Sequence, residues 1–172
     1  MLDCLQNKKE QNIAIFYANK TCLELLEKLL PENYHPYLKS GEDISAISKC
    51  KKAICASGTV TLQLAILEVP MVIMYKLSYI TYFVMKSLVK LKYIGLVNLV
   101  LGDTIGSKPI VKEFIQPSYS DQIDVMVELN KIDNDSKYRQ EMISMYKKIK
   151  SSLSGKSQDN LNSIIDRLLN AI

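Results

Sequence analysis

The sequence predicts an α/β fold with a parallel sheet flanked by helices. Three observations carry that expectation. Ile13–Tyr17, Lys52–Ala56 and Met71–Tyr75 are short, largely apolar runs without clean alternation, as strands buried on both faces require. Each of the first two runs leads into a stretch with helical signals, and strand–helix alternation indicates parallel pairing through crossover helices. A glycine, Gly58, stands at the junction between the second run and its helix, where a parallel sheet turns over at its carboxyl edge. Together these describe a Rossmann-like sheet. The chain has 172 residues, 48% of them hydrophobic, enough for one core. We therefore expect a single domain over 1–172, with 117–172 as a mainly helical tail.

Taken in order, Ile13–Tyr17 reads as the first strand. Thr21 with Glu24 three residues on forms a capping box for a helix through Leu30, which Pro31 stops. A second short strand is expected around Tyr34–Leu38. Asp43 caps a short helix to about Lys49. Lys52–Ala56 is the next strand, and Ser57-Gly58-Thr59 turns into a helix ending near Glu68, ahead of Pro70. Met71–Tyr75 is a further strand. From about Tyr79 the chain reads as mainly helical, with helices at Tyr79–Leu91, Gln122–Lys131, Lys137–Leu153 and Asn160–Leu169. Gly155 separates the last two. The Asn/Asp-rich segment Asn130–Ser136 reads as a loop. It lacks the alternating Asp and glycine pattern of a calcium loop.

Composition excludes several classes. The net charge of +4 is too mild to suggest a nucleic-acid partner. Cys4, Cys22, Cys50 and Cys55 are not at metal-binding spacing, and read as reduced thiols, mostly buried. His35 is the sole histidine, which argues against a Cys–His nucleophile or a multi-His metal site; beside Pro36 it reads as a surface loop residue. The first ten residues lack the apolar run of a signal peptide. The most apolar region, Leu77–Leu101, is interrupted by lysines and falls short of the roughly 20 residues of a membrane span. A soluble or peripheral protein is expected.

The chemistry concentrates in Ala56-Ser57-Gly58-Thr59-Val60-Thr61-Leu62-Gln63. A buried strand that ends in a glycine turn and a helix start presents unpaired N–H groups and the positive end of a helix dipole. Glycine allows close backbone approach, and Ser57, Thr59 and Thr61 add hydroxyls. Such a turn suits a diphosphate, at the edge where open α/β sheets bind ligands. The plainer alternative is an ordinary helix N-cap, for which Ser and Thr are favoured. Gln63 shares a helix face with Thr59 and is placed for a ribose hydroxyl; the alternative is an exposed helix glutamine. Gly102 and Gly106 belong to a loop without the Gly-Lys-Ser/Thr of a P-loop. Asp103 and Asp121 read as loop or cap acids.

The stretch Ala56–Leu62, followed by Val69-Pro70-Met71-Val72, Tyr75-Lys76, Leu88-Val89-Lys90, Tyr93-Ile94, Asn98-Leu99 and Val111–Gln116, resembles the lipid-A-disaccharide synthase family over about residues 50–116. The resemblance implies the nucleotide-sugar-binding, carboxy-terminal half of a GT-B fold. It implies a glycosyltransferase that joins a UDP-activated diacylglucosamine to diacylglucosamine 1-phosphate, without a metal or cofactor. By position, Ser57, Gly58 and Thr59 would face the UDP diphosphate and Thr61 would support the turn. Asn98 would lie near the donor, although Val97 stands where the family has proline and the Gly102–Pro109 loop is longer than usual. Gln63 stands where the family has a glutamate suited to the ribose diol; losing a charge-assisted bond there would cost roughly 1–2 kcal/mol of donor binding.

The resemblance also implies an amino-terminal half that supplies the base for the acceptor hydroxyl, together with a phosphate loop. This chain carries neither, so it is expected to be inactive alone and to require a separate amino-terminal half, or to be a non-catalytic remnant. From Val69 to Gly102 the only formal charges are Lys76, Lys86, Lys90 and Lys92. A cationic face beside Tyr82, Phe83 and Leu88 suits an anionic membrane surface, at roughly 1 kcal/mol per lysine, or acceptor contact; an ordinary core helix with solvated lysines is the alternative. The expected partners are a UDP-sugar lipid donor and a glycolipid acceptor. The expected location is the cytoplasmic side of a Gram-negative inner membrane. Two other functions stay open: a membrane-binding module without turnover, and a different UDP-sugar transferase or epimerase.

Overall fold

The computed structural model describes residues 13–56, 58–75, 93, 95–115 and 119–154. They form two compact units that divide after Cys50. The sheets of both are parallel, as the apolar runs predict.

The first unit is a strand–helix–strand crossover. Strand β1 (Ile15–Tyr17) leads to helix α1 (Lys20–Leu29), a 3-10 turn (Glu32–Tyr37), strand β2 (Leu38–Ser40) and helix α2 (Ile44–Ser48). Ile15 pairs with Leu38 and Tyr17 with Ser40. The cap of α1 is Asn19, not Thr21: its side chain accepts from the Cys22 N–H at 2.9 Å, so the helix starts at Lys20. Pro31 follows its end, where Leu30 N–H still reaches the Leu26 carbonyl at 2.8 Å. The second strand begins later than expected. Pro36 lacks the N–H that a ladder needs, and residues 32–37 wind into the 3-10 turn instead. His35 sits in that turn, its Nε2 3.2 Å from the Leu30 carbonyl, and is not a free loop residue. Gly41 is required after β2: its N–H donates to the Tyr17 carbonyl at 2.8 Å, and a Cβ there would come within 2.9 Å of that oxygen. Asp43 caps α2 as expected, accepting from Ala46 N–H at 2.8 Å.

The second unit holds a three-stranded sheet in the order β3-β4-β5. Its elements are β3 (Ala53–Cys55), α3 (Thr59–Ile66), β4 (Met71–Tyr75), α4 (Leu96–Leu99), which continues as a π-helical turn through Thr104, β5 (Glu113–Ile115), α5 (Tyr119–Asn134) and α6 (Ser136–Ser154). Cys55 pairs with Ile73, and Ile73 with Glu113. β4 is central, and Met71, Val72 and Ile73 are wholly buried, which is why that run is apolar on both faces. Val125, Leu129 and Ile132 of α5, and Met142, Tyr146 and Ile149 of α6, are buried at helical spacing. Each of the aliphatic and methionine side chains among them contributes about 1.5–3 kcal/mol by leaving water. α6 packs on α3 and on α5, and Lys52, just ahead of β3, forms an ion pair with Asp133 of α5.

Further expectations are corrected here. The Asn/Asp-rich segment is not a loop: α5 runs through Asn134, and Asp135 alone separates it from α6, where it caps Tyr138 N–H at 2.9 Å. Asp103 and Asp121 fall inside helical segments. β5 interrupts the part of the chain read as mainly helical. The cysteines also differ from expectation, since Cys55 is buried but Cys22 and Cys50 are only half-buried. The helices expected at 79–91 and 160–169, the break at Gly155 and Cys4 lie outside the described residues.

Candidate functional site

The carboxyl end of β3 carries the candidate site. The chain leaves Cys55, passes Ala56 and enters α3 through Gly58, whose φ of 115° and ψ of −162° belong to a region that side-chain-bearing residues avoid. Among the described residues, a Cβ on Gly58 would meet nothing within 4 Å. The glycine is therefore set by backbone conformation, and the space beside it is open. At the start of α3 the amides of Thr59 and Val60 have no carbonyl behind them within the helix, so they present the positive end of its dipole. Thr59 is exposed there.

Thr61 faces the other way. It is 0% exposed; its hydroxyl donates to the Gly58 carbonyl at 2.8 Å and accepts from Val97 N–H at 3.3 Å. It braces the turn from inside. Asn98 is likewise 0% exposed. Its amide nitrogen donates to the Val111 carbonyl and to Glu113 Oε1, both at 2.7 Å, and its oxygen accepts from Val111 N–H at 3.2 Å. Its side chain is engaged with the β5 region, and the adjoining Val97 N–H reaches Thr61 of the turn. Gln63 is half-buried on α3. Ser57, Lys76, Lys86, Lys90 and Lys92 lie outside the described residues.

Glu113 and Gly95 were missed from the sequence. Glu113 Oε1 also accepts from Gly95 N–H at 3.1 Å. A Cβ on Gly95 would come within 2.4 Å of Ile73 Cδ1. The available signal was an acid set, with Lys112, between the apolar pairs Ile110-Val111 and Phe114-Ile115.

Burial shifts the other reactive groups towards their neutral forms. The Cys55 thiol is pushed up to about 12 by burial. Burial, then the Glu128 carboxylate that accepts its proton at 2.6 Å, pushes the Tyr138 hydroxyl well up. Neither is a nucleophile or base at neutral pH. A groove of about 490 Å³ lies between β5 and α5, lined by Lys112, Phe114, Asp124 and Glu128 among others, but no residue of the Gly58 turn lines it. Among the described residues no group of His, Cys, Asp and Glu is placed to hold a metal, and no helix is long and apolar enough to cross a membrane.

Parallel strands with a glycine turn at the carboxyl edge define a parallel α/β protein of the kind that carries its site at that edge. Residues 4–167 match the model of the lipid-A-disaccharide synthetase family, and the chain belongs to that family, which is one of GT-B glycosyltransferases. Lipid-A-disaccharide synthase 1 of Legionella pneumophila subsp. pneumophila (strain Philadelphia 1) is 35% identical over 119 residues, covering 69% of this chain and 29% of that protein. The lipid-A-disaccharide synthase of Coxiella burnetii is 34% identical over 118 residues, 68% of this chain and 30% of its own length. That of Trichlorobacter lovleyi is 39% identical over 89 residues, 52% of this chain and 22% of its own. The chain therefore spans about three-tenths of the length of the first two relatives.

Proposed function

We propose that this chain is the donor-binding half of a lipid-A-disaccharide synthase, and that it binds the UDP of UDP-diacylglucosamine at the Gly58 turn. One observation carries the reading: Gly58 holds a glycine-only conformation at the head of α3, with open space on one side and the buried Thr61 bracing the other. Ser57, Gly58 and Thr59 are assigned to the diphosphate and Gln63 to the ribose. Asn98 is assigned to the donor's surroundings by holding α4, since its amide is committed to Val111 and Glu113. In this account the whole chain is one carboxy-terminal domain. Lys76, Lys86, Lys90 and Lys92 meet the anionic inner-membrane surface on its cytoplasmic side, or the acceptor.

Transfer would proceed as the hydroxyl of diacylglucosamine 1-phosphate attacks the anomeric carbon while its bond to UDP breaks. Charge develops on the departing diphosphate, and in this reading the α3 amides meet it. The acceptor proton must pass to a base, which we assign to the part of the family's fold that these 172 residues do not match. Support comes from the relatives, of which this chain matches only about three-tenths. Purified chain is therefore expected to give no disaccharide from radiolabelled donor and acceptor. Clear turnover by the chain alone would overturn the two-part reading.

Gln63 offers one carbonyl oxygen to a vicinal diol, where a carboxylate offers two. Gln63→Glu should strengthen UDP binding relative to deoxy-UDP by about 1–2 kcal/mol. An unchanged ratio of the two affinities in calorimetry would remove Gln63 from the ribose site.

A further inference from the structure

We infer that Glu113 is a positioning residue for the Gly58 turn, acting through the first turn of α4. The inference rests on the proposed reading that this turn takes a diphosphate. One carboxylate oxygen, Oε1, accepts from Gly95 N–H at 3.1 Å and from the Asn98 side chain at 2.7 Å, so it grips both ends of a short stretch. Between them, Val97 N–H donates to Thr61 Oγ1 at 3.3 Å. That bond occupies the hydroxyl's acceptor side and leaves its single proton for the Gly58 carbonyl, at 2.8 Å. The last two bonds run in series, from Val97 N–H through the Thr61 hydroxyl to the Gly58 carbonyl, and Glu113 acts on them by holding the backbone from Gly95 to Asn98. Bonds joined in series polarise one another.

Gly58 C=O and Thr59 N–H belong to one peptide group, which is planar and trans. Holding the carbonyl inward on Thr61 turns the Thr59 N–H to the opposite side. Fixing Gly58 thus aims a donor, and Glu113 sets that aim without touching the ligand. Gly95 makes the approach feasible. A Cβ there would lie 2.4 Å from Ile73 Cδ1 and 3.0 Å from Glu113 Oε1, so any larger residue would displace the carboxylate. The register of β5 on β4, Glu113 opposite Ile73, places the acid beside that gap.

The test combines calorimetry with UDP and with uridine, hydrogen exchange of the Thr59–Thr61 amides, and a thermal melt. Glu113→Ala is expected to weaken UDP binding roughly tenfold. Uridine, which lacks the diphosphate, should change by less than about twofold, and exchange at Thr59–Thr61 should speed up. Glu113→Gln keeps an acceptor oxygen and should recover UDP affinity to within about threefold of wild type. If Glu113→Ala does not fold, Thr61→Val cuts the same chain of bonds at its other end and should give the same pattern. Parallel losses for UDP and uridine, or unchanged UDP binding with unchanged exchange, overturn the inference. If wild type binds no UDP, the proposed function fails instead, and the exchange rates alone then decide whether Glu113 governs the turn.

Discussion

Replacing Gly58 with valine is expected to abolish UDP binding while leaving the chain folded. The native φ of 115° with ψ of −162° costs a side-chain-bearing residue about 1–3 kcal/mol. Valine, branched at Cβ, relieves that strain by rotating towards negative φ. The rotation pulls the Gly58 carbonyl off the Thr61 hydroxyl and swings the Thr59 N–H away from the open side. Whatever strain remains unrelieved keeps a branched side chain in the space now left clear, where the diphosphate is assigned. The expected loss exceeds about 100-fold in affinity, or roughly 2.7 kcal/mol. Among the described residues a Cβ at Gly58 meets no atom within 4 Å, so the substitution forces no clash with the apolar core. Calorimetry reads the first effect and a thermal melt the second. Equal UDP affinity in wild type and mutant would place the site elsewhere.

Asn98→Leu should instead destabilise the fold, by about 3–5 kcal/mol, through two or more buried groups left without partners. The asparagine is wholly buried and satisfies Val111 N–H and C=O as well as Glu113. Leucine fills a similar volume but offers neither a donor nor an acceptor. Water cannot readily replace it, because Val97, Leu99, Val100 and Val111 around this part of the chain are buried too. Urea unfolding of the two proteins measures the difference. A loss under about 1 kcal/mol would mean that these bonds are re-formed with water, and that Asn98 is free to serve the donor directly.

The buried strands were the most legible part of the sequence, because a strand covered on both faces must be apolar throughout. Met71–Tyr75 has the expected bounds, and Ala53–Cys55 falls inside its expected run. Gly58 and Asp43 were legible as punctuation, since a turn and a cap each need a particular local chemistry. The Asn130–Ser136 segment misled for a physical reason. Asn130, Lys131 and Asp133 lie on the solvent face of a helix whose inner face continues through Leu129 and Ile132. Composition reads as a loop there, while periodicity continues the helix. β5 is hidden because it is only three residues long and begins with an acid. At the site, the turn itself was visible and the resemblance implied that Thr61 supports it, but the bracing through Val97, Asn98 and Glu113 was not legible. The contacts that join Thr61, Asn98 and Glu113 to their partners in other elements span 13 to 36 residues of chain, which no local pattern encodes.

The central claim is that the Gly58 turn binds the diphosphate of a UDP donor. Titration of the purified chain with UDP and, separately, with uridine tests it most directly. The account predicts one UDP site per chain and an affinity for uridine at least roughly tenfold weaker, the difference being the charge met at the head of α3. Absence of UDP binding, or equal affinity for UDP and uridine, would contradict it.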